Sequence, residues 1–281
     1  MPEKTINNND KTMTKSEHTS LITRFSRIFR LALWLVKTIR RVNRFKNLNE
    51  TERNKELISI AHNLLDILHV KVNSEQLLPD TASMPWLTVA NHISWLDIFV
   101  LMSYIPGGFI AKQSVKSWPV IGRLATNGGT VYINRQSRQD INPVIKAIVL
   151  ALHEGKNVLF FPEAYTSEGM TTLPFKAALF QAAIDADTPV MAVAMRYYNP
   201  QGLRTSKVAF AGKTSLLRSL WNIVSMPEII VKVDFSALLN IAENKTNDRF
   251  SLKTQAEDFI QNKVLMDSPA TATSPSTSDS I

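Results

Sequence analysis

In Leu87-Thr88-Val89-Ala90-Asn91-His92-Ile93-Ser94-Trp95-Leu96-Asp97, an apolar run delivers a histidine to a turn, and an aspartate follows five residues later. Imidazole titrates near pH ~6.5, so a neutral His92 held by a carboxylate is suited to take a proton from a hydroxyl as a general base. Asp97 has a second reading. Ser94-x-x-Asp97 matches a capping box, in which a carboxylate answers an orphan N–H in the first turn of a helix. The two roles are compatible, because a carboxylate in that turn can cap the helix and still face the preceding loop. Two later groups carry charge to similar positions. Gly129-Thr130-Val131-Tyr132-Ile133-Asn134-Arg135 is a glycine turn, a short strand and an arginine able to fork onto a phosphate or carboxylate. Val158-Leu159-Phe160-Phe161-Pro162-Glu163 is an apolar strand that ends in a carboxylate able to bind a hydroxyl or orient a cation.

These groups need a frame. From Leu87 onward, short apolar runs at 87–90, 108–111, 131–133, 157–161, 190–195, 207–210 and 229–235 read as strands, and 94–104, 141–153, 176–184 and 215–224 as helices. The alternation predicts an α/β domain with a mixed, largely parallel sheet flanked by helices, which places His92 at the carboxyl end of a strand, where open α/β sheets bind ligands.

Ahead of that domain lies a basic element. Residues 21–46 hold Arg24, Arg27, Arg30, Lys37, Arg40, Arg41, Arg44 and Lys46 and no acid, which accounts for the whole net charge of +8. At helical steps the cations Arg30, Lys37, Arg40, Arg41 and Arg44 fall in an arc of roughly 100°, opposite Phe25, Ile28, Phe29, Ala32, Leu35, Val36, Ile39 and Val42. The longest apolar run, Leu31–Val36, is far short of the ~20 residues that span a bilayer. The expectation is an amphipathic helix that docks on an anionic membrane surface, the alternative being a helix packed on its own domain with a solvated basic face. A second helix is expected at about 52–68. The predicted organisation is a disordered lead-in (1–20), N-terminal amphipathic helices (21–80), the α/β domain (81–266) and a disordered Ser/Thr/Ala/Pro-rich tail (267–281).

Composition excludes several chemistries. The chain of 281 residues, 44% hydrophobic, can bury one sizeable core, and without a cysteine it has no thiol nucleophile, thiolate metal site or disulfide. Its five histidines show no HExxH-type spacing, so no metal site is expected. Charge confined to one helix, without a basic-aromatic recognition motif, argues against a nucleic-acid partner. Ala211-Gly212-Lys213-Thr214 has the ending of a phosphate-binding P-loop, but Lys207 stands where the loop's first glycine belongs.

Taken in order, the groups resemble the lysophospholipid acyltransferase family, whose bacterial members include 1-acylglycerol-3-phosphate acyltransferases, over about Trp86 to Met195. Asn91-His92-x-x-x-x-Asp97 is similar to the family's NHxxxxD box, Gly129 to Arg135 to its arginine-bearing box, and Phe161-Pro162-Glu163 to its FPEG box. Lys112, Trp118-Pro119, Gly122 and Leu173-Pro174-Phe175-Lys176 are similar to linking positions. The resemblance implies that His92 deprotonates the hydroxyl of a lysolipid acceptor, which attacks the thioester of acyl-CoA or acyl carrier protein while Asp97 orients the imidazole. It implies that Arg135, Glu163, Lys112 and Asn91 hold substrate. No cofactor beyond the acyl-donor substrate is implied, and the expected location is peripheral or monotopic on the cytoplasmic face of a membrane, the bacterial inner membrane. The third box departs from the family's FPEGTRS: Ala164, Tyr165 and Thr166 remove its turn glycine and its arginine, which predicts a loop of different shape. Thr166-Ser167-Glu168-Gly169 is similar to relatives acylating lyso-ornithine lipids, the alternative acceptors; a catalytically silent membrane-binding relative is a further alternative.

Overall fold

A computed structural model describes residues 18–76, 85–118, 121–133, 141–239 and 248–271. The chain begins with α1 (Leu21–Val42), α2 (Glu50–Ile67) and β1 (Val70–Asn73), and continues through β2 (Leu87–Ala90), α3 (Leu96–Tyr104), β3 (Gly108–Lys112), α4 (Ile121–Asn127) and β4 (Val131–Ile133). Then come α5 (Ile141–His153), β5 (Val158–Phe160), α6 (Gln181–Asp185), β6 (Val190–Tyr198), α7 (Leu216–Ser225), β7 (Ile229–Phe235) and α8 (Arg249–Leu265).

The strands form one sheet in the order β1-β7-β6-β2-β5-β3-β4, parallel throughout except for the antiparallel β6–β7 pair. β2 is central and buried at every position, with Leu87 facing Val158 of β5 on one side and Val190 of β6 on the other. Such continuous apolar strands follow from cover on both sheet faces. One face is packed by α1, α2, α3, α4 and α7 around Trp34, Leu64, Phe99, Leu124 and Ile223, and the other by α5, α6 and α8 around Ile148, Ala182 and Ile260. Connections leave β2 toward β3 and return past it from β5 to β6, so the crevice at its carboxyl end opens where the winding reverses.

The N-terminal helix is fixed to this frame. Arg27 is buried and donates to three carbonyls at the end of α7, Val224 (3.0 Å), Met226 (2.5 Å) and Pro227 (2.9 Å). Trp34 Nε1 donates to Ile60 O at 3.2 Å, and Arg41 pairs with Glu56 at 2.5 Å. The apolar arc expected of α1 is thus divided: Ile28, Leu35 and Val42 pack on the domain, whereas Phe25, Phe29 and Val36 stay exposed beside Leu21, Ile22 and Leu33.

Several expectations change. Residues 207–210 form a turn, because the Phe210 N–H goes to Ile93 O (2.8 Å) and Ala209 N–H to Ser206 O (2.9 Å), leaving no ladder for a strand. Residues 176–184 become a 3-10 turn, Ala178–Phe180, running into α6. The sheet takes its edge strand β1 from the segment assigned to N-terminal helices, so the boundary at 80/81 cuts through one structural unit. The tail expected from Asp267 begins later, since Asp267 accepts from Tyr198 OH (2.5 Å) and Arg204 (2.7 Å). Thr19 N–H donates to Ser225 O and Ser20 caps α1, so the lead-in ends before them; residues 1–17 and 272–281 lie outside the described residues.

Candidate active site

Where β2 ends, its backbone leaves the sheet and the side chain of Asn91 takes its place. The fully buried amide donates to Met195 O (2.9 Å) and accepts from Met195 N–H (2.8 Å), which extends the pairing to β6 by one side chain. Asn91 is therefore occupied with positioning the turn.

The next residue is gripped from both sides by the third box. His92 N–H donates to Glu163 Oε1 (2.7 Å), and His92 O accepts from Ser167 N–H (2.8 Å). The other oxygen of Glu163 accepts from Leu173 N–H at 2.7 Å. Glu163 is almost fully buried, and burial pushes its pKa up to about 7 against the pull of these two N–H donors, with a smaller upward push from Asp97. Contrary to the expectation that it binds an acceptor head group, its carboxyl spans two segments of the fold.

The His92 imidazole lies flat on Phe161, ring centroids 3.9 Å apart and planes 7° apart, with its Nδ1 2.8 Å from Asp97 Oδ2. Asp97 Oδ2 also accepts from Ile93 N–H (2.6 Å) and Ser94 N–H (2.8 Å). Asp97 thus orients the histidine and answers two N–H groups of the turn that precedes α3, while α3 itself is entered at Trp95, without a side-chain cap. Because Oδ2 accepts only, the hydrogen-bond pattern assigns the imidazole proton to Nδ1, leaving the Nε2 lone pair for chemistry. The ring is 20% exposed while Asp97 is sealed from water.

Tyr197 completes the group, and the sequence reading missed it. Its hydroxyl donates to Asp97 Oδ1 at 2.6 Å from a fully buried position, where burial and the adjacent Asp97 raise its pKa well above that of a free phenol. Tyr197 therefore stays a donor. The predicted strand stops at Met195, two residues short; the available signal was that a tyrosine continuing the inward face of a buried strand needs a partner for its hydroxyl.

The third-box loop places Ala164 where a glycine is the usual choice. Ala164 has φ +64°, a left-handed conformation that costs a residue with a Cβ about 1–2 kcal/mol, so the loop is held under strain at this position. Tyr165 is exposed beside it, with Lys176 Nζ 5.7 Å from the ring centroid. On the other flank, Lys112 closes β3 in register with Ile133 of β4, at the same end of the parallel strands as His92. Arg135 lies outside the described residues.

Comparison with known proteins agrees with this geometry. A family model described as Acyltransferase matches residues 69–196. The chain is 44% identical over 246 residues to a 1-acyl-sn-glycerol-3-phosphate acyltransferase of Neisseria meningitidis serogroup B, covering 88% of this chain and 95% of the relative. It is 33% identical over 177 residues to a lyso-ornithine lipid O-acyltransferase of Pseudomonas aeruginosa, covering 63% of this chain and 67% of that one. Among solved structures, the 1-acyl-sn-glycerophosphate acyltransferase PlsC of Thermotoga maritima superimposes with TM-score 0.67 over 87% of this chain and 94% of that chain, at 19% identity, which shows a shared fold.

Proposed function

The chain belongs to the lysophospholipid acyltransferase family, and from that premise we propose that it moves a fatty acyl group from acyl-CoA or acyl carrier protein to the free hydroxyl of 1-acylglycerol 3-phosphate, giving phosphatidate. The observation that carries this reading is the His92–Asp97 pair at 2.8 Å, with Nδ1 committed to the carboxylate and Nε2 left over. Nε2 accepts the acceptor's hydroxyl proton as its oxygen forms a bond to the thioester carbonyl carbon. The carbon–sulfur bond then breaks, the electron pair leaves on sulfur, and the imidazolium returns the proton to the thiolate. Asp97 stabilises the imidazolium through Nδ1–H, and no acyl-enzyme forms, consistent with a chain that lacks cysteine.

The head group falls to Lys112 and Arg135, a reading that rests on the resemblance of their boxes to the family's. Glu163 and Asn91 act behind them by holding the His92 backbone and the end of β2. The acceptor is membrane-borne, and the exposed side chains Ile22, Phe25, Phe29, Leu33 and Val36 of α1, with Arg30, Lys37 and Arg40 beside them, suit peripheral docking on the anionic cytoplasmic face of a bacterial inner membrane. No helix among the described residues is long and apolar enough to cross a membrane.

A second acceptor is favoured by the Thr166-Ser167-Glu168-Gly169 loop, namely a lyso-ornithine lipid. A thiol-release assay with acyl-CoA and a panel of lysolipids separates the two. Turnover is expected with 1-acylglycerol 3-phosphate and is abolished in a folded His92→Ala variant. Turnover confined to lyso-ornithine lipid transfers the assignment to that acceptor, and activity undiminished in the variant refutes the mechanism.

A further inference from the structure

A cavity beside α7 lies outside the site just described. It has a volume of about 330 Å³ and is walled by Glu168 of the third-box loop, by Ser206, Ala209 and Ala211, and by Lys213, Thr214, Arg218 and Asn222 at α7. Lys213 and Arg218 are exposed cations, and neither forms an ion pair among the described residues. With Glu168 the only acid in the wall, the cavity carries a positive excess. Lys213 belongs to the segment whose spacing fails as a P-loop, so its charge is available without that loop's cradle.

The cavity is connected to the catalytic turn. Phe210 N–H donates to Ile93 O (2.8 Å), Thr166 Oγ1 donates to Phe210 O (2.6 Å), and Trp95 Nε1 donates to Ser219 Oγ (3.1 Å). Ala209 and Ala211 flank Phe210, and with Cα atoms ~3.8 Å apart along the chain these walls stand on the order of 10 Å from the imidazole. The cationic wall of the cavity also lies on a definite flank, while Glu168 reaches it from the loop after β5. α7 joins β6 to β7, on one side of β2, whereas Lys112 at the end of β3 lies on the other.

The distance and the flank select the ligand. In 1-acylglycerol 3-phosphate the phosphate is carried on the carbon next to the one bearing the attacking hydroxyl, too close to reach the cavity while that hydroxyl is at Nε2. In both forms of the acyl donor a pantetheine arm separates the thioester from a phosphate. We propose that this cavity receives the phosphate end of the acyl donor's pantetheine arm, Lys213 and Arg218 holding the anion while the thioester reaches His92. The assignment rests on the acyl-transfer reading above and divides the two substrates between opposite flanks of β2.

The test uses the full-length protein with Lys213 and Arg218 both replaced by Ala. Donor KM is expected to rise at least about tenfold, the loss of charge-assisted contacts to a phosphate, with acceptor KM and Tm unchanged. A rise with both acyl-CoA and acyl carrier protein assigns the cavity to the phosphate they share, and a rise with acyl-CoA alone to the nucleotide phosphates of that donor. Glu168→Gln removes the opposing charge and is expected to lower donor KM. Unchanged donor KM with both donors, or a rise confined to the acceptor, overturns the proposal. Titration of coenzyme A into the protein without acceptor, read by calorimetry, keeps the two readings apart. If wild type binds it and the double variant binds at least about tenfold more weakly, the cavity stands even where no lysolipid is turned over; equal affinity removes the cavity and leaves the acyl-transfer reading intact.

Discussion

At the scale of single residues, His92 is defined by what surrounds it on every bond but one. Its N–H and C=O are tied to Glu163 and Ser167, one ring face lies on Phe161, and Nδ1 is held by Asp97. Tyr197 acts one step further back, as a positioning residue. Tyr197→Phe removes a hydrogen bond to a buried carboxylate and is expected to lower kcat about tenfold with KM unchanged and the protein still folded. Steady-state kinetics checks this, and a change in KM alone contradicts it. Glu163 makes a pH-dependent contribution whose sign follows from its raised pKa. Between the usual carboxyl value of 4.5 and about 7 the folded state binds the proton that the unfolded state has released, so stability falls as pH rises through that window. Glu163→Gln is expected to flatten that part of a Tm-against-pH profile and to lower kcat, because its NH2 group cannot accept one of the two N–H bonds. An undiminished slope in the variant would show that another group titrates there.

At the scale of elements, the sequence revealed what periodicity can carry. The bounds of β2, β4, β7 and α5 match their expectation because β2 and β4 are short, mostly apolar runs, β7 alternates buried apolar positions with Lys232 and Asp234, and α5 repeats Val144, Ile145, Ile148 and Leu152 at helical spacing. What was not legible depended on partners distant in the chain. Val70–Asn73 is half polar and becomes a strand only with β7 beside it, and α8 buries only Leu252, Ala256, Ile260 and Val264. The apolar turn at 207–210 looks like a strand because its burial comes from packing against the catalytic turn. The site divided in the same way. His92 and Asp97 were legible from spacing, whereas the roles of Glu163 and Asn91 were not, since their acceptors and donors are backbone atoms of other segments. Arg27 shows the same limit: counted by sequence only among the charges of the basic element 21–46, it is spent on three carbonyls of the α7 terminus. Arg27→Ala leaves those carbonyls without their donor and is expected to cost about 2–3 kcal/mol, measured by denaturant unfolding. A change within ~0.5 kcal/mol, the range of ordinary surface substitutions, would contradict the role of this contact.

At the scale of the whole molecule, α1 is both part of the core and part of the outer surface. Removing residues 21–46 would strip Trp34, Val42 and Phe45 from the core, so a deletion cannot separate docking from folding. Acidic substitutions on the exposed apolar face can. Ile22→Glu, Phe25→Glu and Phe29→Glu together are expected to abolish sedimentation with vesicles containing anionic lipid while acyl transfer to a short-chain, monomeric acceptor is retained. Vesicle binding equal to wild type would exclude this face as the docking surface.

The contact between α1 and α7 has a mechanical consequence. Phe25 meets Trp221 edge to face at 6.4 Å, Arg24 lies 5.4 Å from the same indole centroid, and Leu217 beside it is 79% exposed. A body resting on a bilayer by one helix is free to roll about that helix, and its crevice would sweep through a range of depths. In the docking proposed above, α7 adds a second support beside α1 that opposes the roll, and Arg27 ties the two together. Under that docking the height of the imidazole above the lipid headgroups becomes a fixed dimension of the protein, so the crevice meets an acceptor hydroxyl where the bilayer already holds it.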